Sequence, residues 1–502
     1  MFTFGCDCCG ELNCCNKGEG ELSFLPKTIE ASKQNLSKTV SGYSLVTMAT
    51  SESTQCGEDT NIGVTPSCSF NSLMETEEVK GGAASSLISF HRFRPEMAST
   101  VLVERGILSS AILKEKAKLI IPSKCHNSNL FLVTDSIVDA YLGEQVVNGL
   151  RSAGLSVFKI VVPAEQEDVS GESSGERFKT LGIFSDVCDE IIGTGLDKYS
   201  CIVSLGGGVI NNLCGVVASM IYRGISLVHF ATTMMAQADA AIDFKQAVNH
   251  PKGKNLLGTY YPASTIVCDP DVLTTLSPRH ILNGLSECIK HGICHDLELL
   301  ELVLKCSNKN DLVDPAFLEQ VVRKTVTLKA VTLTDYDNSD FNEMAPQYGH
   351  AVGHAIEHLS WKIATEYADA ERNKMDAEGK LLPKIAPLLH GEACAIGMCV
   401  SAEISYLMGF CDLETVEEHY RIFETAHLPS IVPEGLEMEE ILHNLTYDKH
   451  YVVKPSMGLV REIANMQQSE DGGYTFYVEP EVMEEALKRN LARRNKVETC
   501  ST

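Results

Sequence analysis

Positive charge is scarce in this chain. Its 42 Lys and Arg stand against 67 Asp and Glu, a formal net charge of −25, which argues against generic binding to nucleic acid or an anionic membrane. No apolar run approaches the roughly 18–20 residues of a membrane span. The opening MFTFGCDCCGELNCCNKGEGE has no basic stretch followed by an apolar one, so it does not read as a secretory signal. The GxGxxG spacing of the ordinary dinucleotide-binding turn is missing. So are the paired spacings of a zinc finger, the HExxH of a metalloprotease and any internal repeat.

What is present fits an enzyme. The 502 residues exceed one ordinary domain, and 44% hydrophobic content supports a sizeable core. The 19 cysteines fall into two groups. Cys6, Cys8, Cys9, Cys14 and Cys15 crowd the start. Those of the body, such as Cys201, Cys214, Cys268, Cys288, Cys394 and Cys399, lie mostly in apolar patterns, where a free thiol behaves as a small core hydrophobe. That usage points to a reducing compartment, taken as the cytoplasm. The Ser/Thr-rich stretch Lys27 to Thr54 leaves an organelle address open. Residues 1–85 show no sustained periodicity and read as a disordered extension.

An α/β domain is expected over residues 86–276. NLFLVTD (Asn129–Asp135) is a buried-strand pattern, followed by an amphipathic helix pattern ending at a glycine. SVFKIVVP, YSCIVSLGGG and SLVHFATT read as further strands, with a helix between Phe178 and Ile192. Strands separated by helices imply parallel crossovers and nucleotide binding at the carboxyl ends of the strands. Asp135 ends the first clear strand, where a carboxylate can hold a ribose hydroxyl. From residue 277 to about 490 the pattern is helical, and 491–502 read as a tail.

The most informative stretch runs from Ser204 to Lys290. It opens on Gly206, Gly207 and Gly208, which let a backbone turn sharply and approach a ligand. It then sets Arg223, Asp239, Lys245, Lys254, Asn255, Glu287 and Lys290 among apolar residues, where polar groups are costly unless paired or used. Beyond it, His350, His354 and Glu357 fall at i, i+4 and i+7 on one helix face, and His390 stands near a helix start. Glu287, His350 and His390 offer a carboxylate and two imidazoles from three helices, as catalytic zinc sites do. By spacing alone, His350 and His354 serve equally well as a metal-binding pair.

GGGVINNLCG, MIYRG, ATTMMAQAD, FKQAVN, GKNLLGTYYP and GLSECIK, with GHAVGHAIE and HGEACAIGM later, resemble the sugar phosphate cyclases, a group that includes 3-dehydroquinate synthase, over roughly residues 100 to 485. The resemblance implies a Rossmann-like NAD-binding domain followed by an all-α domain for metal and substrate. It assigns NAD to Asp135, the three glycines, Thr232, Thr233, Asp239 and Lys254, with Glu176 and Lys179 as weaker candidates. Zinc or cobalt goes to Glu287, His350 and His390. The substrate phosphate and hydroxyls go to Arg223, Lys245, Asn255, Lys290, Lys329, Gln347 and Lys449. Lys245, Lys290, His354 and Asp239 take catalytic parts, and a homodimer is expected.

The implied chemistry is a transient oxidation by NAD, phosphate elimination, re-reduction, ring opening and aldol closure to a carbocycle. Dehydroquinate synthases carry RxxLNxGH where this chain has Glu343 and Gln347 in EMAPQYGH, and GGK where it has Asp243–Phe244–Lys245. Loss of that arginine removes the natural partner of a substrate carboxylate. FKQAVN, YRGISLVHFATT and YDKHYVVKP resemble 2-deoxy-scyllo-inosose synthase, so glucose 6-phosphate is the expected substrate. Sedoheptulose 7-phosphate and the keto-acid phosphate are the alternatives. A metal-dependent polyol dehydrogenase shares the expected architecture without needing the lysine cluster.

Overall fold

The computed structural model describes residues 99–164, 175–250, 253–306, 312, 314–334, 344–373, 386–447, 451 and 453–494. The expected extension 1–85, the end of the tail, Glu343, Asp448 and Lys449 lie outside the described residues.

The first part of the chain alternates strand and helix: β1 (Thr100–Val103), α1 (Ser110–Ile120), β2 (Asn129–Asp135), α2 (Glu144–Ser152), β3 (Ser156–Val162), α3 (Leu181–Gly193), β4 (Cys201–Gly206), α4 (Gly208–Met220) and β5 (Ser226–Ala231). A hairpin, β6 (Lys245–His250) and β7 (Gly253–Tyr260), precedes β8 (Thr265–Cys268). The six strands β1-β8-β5-β4-β2-β3 form one sheet, in that order, with every pairing parallel. Alternate residues of β2 face opposite ways. Leu130 and Leu132 pack with α1 and α2 residues, whereas Phe131 and Val133 pack with those of α3 and α4. The sheet is therefore covered on both faces, as its near-continuous apolar strands require.

From β2 the chain moves outward to β3 and then returns to the other side of β2 to make β4. The carboxyl ends of β2 and β4 thus flank a topological switch point, where crevices open in doubly wound sheets. Asp135 and Gly207 stand at its two sides. The β6–β7 hairpin lies outside the sheet and was not foreseen from the sequence. Its residues carry polar groups for other purposes, which masks the alternation of a strand.

Packing also demands the glycines of the β4–α4 turn. None of the three has a positive φ. A Cβ on Gly206 would stand 2.7 Å from Ile210 Cβ, one on Gly207 2.9 Å from Thr233 Cγ2, and one on Gly208 3.0 Å from Ala240 Cβ. Close packing, not a left-handed turn, demands glycine there.

The second part is helical: α5 (Pro278–His295), α6 (Leu297–Cys306), α7 (Pro315–Thr334), α8 (His350–Asn373), α9 (His390–Leu407), α10 (Leu413–Thr425), α11 (Met438–Leu445) and α12 (Pro480–Ala492). Four short strands, β9 (Ser456–Met457), β10 (Val460–Glu462), β11 (Asn465–Met466) and β12 (Phe476–Tyr477), pair between α11 and α12. Residues Arg94–Thr502 form one compact unit. From Gly391 to Ser405, α9 is buried all round apart from Glu392, as a central helix must be. Its buried Glu403 takes Arg489 Nε at 2.6 Å and Arg493 Nη2 at 3.1 Å. The basic end of α12 is therefore spent on the core rather than on solvent.

Glycines bring α8 and α9 together. A Cβ at Gly397 would lie 2.0 Å from Gly349 O, and one at Gly349 2.5 Å from Met398 Cγ. On the other side of α9, a Cβ at Gly391 would lie 2.0 Å from Asn283 O of α5. Three helices thereby approach to within backbone contact just where His350, His390 and Glu287 project.

Candidate functional site

A cavity of 750 Å³ runs from the carboxyl ends of β2 and β4 to the starts of α8 and α9. At the sheet end it is lined by Asp135, Gly207, Gly208 and Thr233. Toward the helices it is lined by Asp239, Lys245, Lys254, Asn255, Lys290, Gln347, His350, His354 and His390. Residues more than 250 positions apart in the chain thus share one space.

Asp135 caps the turn after β2, its Oδ1 accepting from Ile137 N and Val138 N, both at 2.9 Å. Burial raises its pKa, against the pull of those two bonds. Gly206 and Thr232 are buried behind the lining, with the Thr232 amide donating to Gly206 O at 3.0 Å. They shape the crevice rather than face it.

At the helical end, Glu287, His350, His390 and Cys394 each present a donor atom, and these atoms all lie within 4.8 Å of one another. It is the one such group of metal-ligating side chains found among the described residues. His350 Nε2 is 3.8 Å and His390 Nε2 3.6 Å from Glu287 Oε1. The tautomers follow from the other ring nitrogens. His350 Nδ1 donates to Tyr348 O at 3.2 Å, leaving its Nε2 lone pair for a cation. His390 Nδ1 donates to Glu357 Oε2 at 3.1 Å, where Cys394 and Glu357 outweigh burial and raise the His390 pKa, so that a cation at Nε2 takes the place of a proton.

Burial, then Lys290 and the neighbouring histidines, hold His350 well below the usual imidazole range, so it is neutral. Glu287 Oε1 is fully buried with no hydrogen-bond partner, a costly condition that a cation at this point relieves. The donor set therefore fits a divalent metal ion. His354, whose ring centroid is 5.2 Å from that of His350, stays on the cavity wall outside the group.

Two buried ion pairs stand beside it. Lys290 Nζ bonds Glu287 Oε2 and also donates to Pro346 O at 2.8 Å. Burial disfavours its charge, but Glu287 and Asp239 outweigh that and raise its pKa. Lys329 Nζ bonds the Asp239 carboxylate and stands 3.8 Å from Asp243 Oδ2. Burial opposes ionisation of Asp239, and Lys329 and Lys290 overcome it, holding that carboxyl well below its usual range. Lys245 Nζ is 3.3 Å from Asp243 Oδ2. Lys290 and Lys245 keep their charge because the neighbouring carboxylates outweigh the cost of burial.

A third network ties the hairpin to the helices. Lys254 Nζ donates to Glu357 Oε1 at 2.5 Å and stands 3.5 Å from Glu176 Oε1, while Lys179 Nζ donates to Asn255 Oδ1 at 2.6 Å. Burial alone would raise Glu176, but Lys179 and Lys254 bring it down to about 2. Glu357 was visible in the i, i+7 spacing without a role; the structure makes it the carboxylate that orients His390. Arg279 donates to both Glu392 oxygens, at 2.7 and 2.8 Å, and so anchors the start of α9. That contact spans 113 residues and left no signal in the sequence.

Two expected substrate contacts do not line the cavity either. Arg223 is exposed in the turn before β5, at the amino ends of the strands and so across the sheet from the crevice. Lys329 is fully buried behind Asp239, a support for that carboxylate rather than a wall residue. Cys394 was read as a core hydrophobe, and its thiol instead reaches the donor group, 3.6 Å from His390 Nε2.

Residues 171–283 match the family described as 3-dehydroquinate synthase N-terminal, and residues 284–368 and 381–451 match 3-dehydroquinate synthase C-terminal. The 3-dehydroquinate synthase of Thermodesulfovibrio yellowstonii is 30% identical over 354 residues, 70% of this chain and 88% of that protein. The 2-deoxy-scyllo-inosose synthase of Micromonospora echinospora is 29% identical over 331 residues, 66% and 75% of the two chains. Among solved structures, 2-deoxy-scyllo-inosose synthase complexed with carbaglucose-6-phosphate, NAD+ and Co2+ superposes with a TM-score of 0.62 at 24% identity, covering 78% of this chain and 96% of the other. The 2-epi-5-epi-valiolone synthase of Streptomyces hygroscopicus, with NAD+ and Zn2+ bound, gives 0.63 at 24% identity, covering 80% and 99%. With both halves matched in order on a Rossmann-like sheet and a helical domain, this chain belongs to the 3-dehydroquinate synthase family and is a sugar phosphate cyclase, a lyase.

Proposed function

We propose that this cyclase is NAD- and divalent-metal-dependent, holds zinc or cobalt, and converts glucose 6-phosphate to a carbocycle in the manner of a 2-deoxy-scyllo-inosose synthase. The observation that carries the dependence is the buried Glu287–His350–His390 group, opening on the same cavity as Asp135 and Gly207. Solved neighbours of the same fold hold NAD+ with Co2+ or Zn2+. When bound, NAD accepts and later returns a hydride and the metal ion acts as a Lewis acid, so ring formation carries no net redox change.

The chain's own groups do the rest. Asp135 and the tight Gly207–Gly208 turn seat the dinucleotide at the switch point, with Thr233 beside them. Lys254 closes that end against Glu357 and Glu176. Lys245 and Lys290 face the cavity as cations, and with Asn255 they hold the phosphate and stabilise its charge as it leaves. Lys329 acts through Asp239. His354 is placed to move a proton at its ring nitrogen. We assign the cofactor domain to residues 86–276 and the metal and substrate domain to 277–490, in a cytoplasmic homodimer.

The preference for an uncarboxylated sugar rests on local charge. Gln347, which lines the cavity, is neutral. The largely buried Asp243 adds a second carboxylate near Lys245 and Lys329, beside that of Asp239. A substrate carboxylate beside Gln347 meets a neutral amide, which can hydrogen-bond a hydroxyl but does not supply the bidentate charge that a carboxylate takes from a guanidinium. The reading is tested by incubating the protein, NAD and zinc or cobalt with glucose 6-phosphate, sedoheptulose 7-phosphate and the keto-acid phosphate. Phosphate release and product mass are followed. Turnover of the keto-acid phosphate alone would replace this substrate with that of the 3-dehydroquinate synthases. Net NADH accumulation with an unphosphorylated polyol would favour a dehydrogenase.

A further inference from the structure

We propose that Cys394 is a fourth protein ligand in the resting, substrate-free enzyme, completing an O, N, N, S set that selects a thiophilic divalent cation. The inference rests on the metal reading above and adds to it a residue that the three-ligand assignment leaves out.

Cys394 follows His390 by one helical turn on α9, the spacing that puts two side chains on one face. Its thiol is fully buried, and both of its hydrogen-bonding contacts run to the His390 ring, 3.6 Å to Nε2 and 3.9 Å to Nδ1. Other core cysteines differ. Cys268 and Cys288 direct Sγ at backbone carbonyls 4.0 Å away, as inert buried thiols do.

The separations suit a tetrahedron. Bonds of about 2.0–2.1 Å to N and O and about 2.3 Å to S place donors about 3.3–3.6 Å apart. The edges Glu287 Oε1 to His390 Nε2, Glu287 Oε1 to His350 Nε2, and Cys394 Sγ to His390 Nε2 are 3.6, 3.8 and 3.6 Å. All six edges lie within 4.8 Å, so the donors converge on one point and draw inward to close on an ion. The fully buried, unpartnered Glu287 Oε1 aims into the same point. On binding, the Sγ–H bond breaks, its proton passes to bulk water, and Sγ donates its lone pair to the cation with no change of oxidation state. Thiolate in the set favours zinc or cobalt over magnesium or manganese.

Zinc-edge X-ray absorption on the full-length, zinc-loaded chain without substrate tests this. One sulfur at about 2.3 Å beside lighter donors at about 2.0–2.1 Å is expected. Cys394→Ser should retain one zinc per chain and lose the sulfur shell. In the Co(II) form it should also lose the near-ultraviolet thiolate-to-cobalt band of the wild type. A shell of nitrogen and oxygen alone in the wild type overturns the proposal, with no variant needed, and leaves the proposed function standing. So does a sulfur shell unchanged in Cys394→Ser, which would trace to another cysteine. Failure of the wild type to bind zinc or cobalt at all overturns the metal reading and this inference together.

Discussion

Glu357 bonds His390 Nδ1 through one carboxylate oxygen at 3.1 Å and Lys254 Nζ through the other at 2.5 Å. One buried carboxylate thus couples an imidazole of the donor group to a lysine of the hairpin beside the crevice. Burial opposes its ionisation, and Lys254 and His390 reverse that and hold its pKa below the usual range. The arrangement is the carboxylate–histidine pairing that fixes ring orientation and raises ligand basicity.

Glu357→Gln should keep the fold and weaken metal affinity by about 10- to 100-fold, because an amide orients the ring without the charge. Chelator competition followed by metal analysis reads this directly. Affinity equal to wild type would show that the pairing is only structural.

Replacing His350 or His390 by Ala should strip the metal and abolish turnover while the parallel sheet stays folded. Metal analysis and far-ultraviolet circular dichroism check the two halves of that statement. Full metal occupancy in both variants would refute the assignment.

His419 gives a pH prediction. It is fully buried, with Nδ1 donating to Thr415 O at 2.8 Å and Nε2 3.0 Å from the Tyr348 hydroxyl. Burial lowers its pKa from 6.5 to about 4. Between those values the unfolded chain binds more protons than the folded one, so stability falls as pH drops from about 6.5 toward 4. His419→Gln should flatten the dependence of Tm on pH in that window. An unchanged slope would mean that other groups carry it.

Removing residues 1–85 should leave activity within a few-fold of the full chain, since their composition builds no core. Turnover and NAD binding of the truncated protein are the measurements. Loss of either would give the extension a working role.

Much of the architecture was legible because its causes are local. Apolar runs bounded by turns marked β2 to β5, and the helix-face spacing of His350, His354 and Glu357 was real. The hairpin was missed because its strands carry Lys245, Lys254 and Asn255, polar groups that obscure the period of two. The first and last strands of the sheet, β1 and β8, were missed because four residues are too few to show a pattern.

The sequence by itself determined the element types, the order of the motifs and the candidate donors, since each depends on residues within a few turns of one another. Spacing left His350 and His354 open, the family resemblance already set His350 with Glu287 and His390, and tertiary structure alone showed that the Cys394 thiol stands in the same group. It also put Arg223 across the sheet from the crevice and Lys329 behind Asp239. These outcomes depend on how α5, α8 and α9 meet at Gly349, Gly391 and Gly397, and on the crossover that returns β4 to the far side of β2. Such contacts join residues far apart in the chain, Gly349 with Gly397 across 48 positions, Leu130 with Cys201 across 71 and Asn283 with Gly391 across 108, and spacing along the chain carries no record of them.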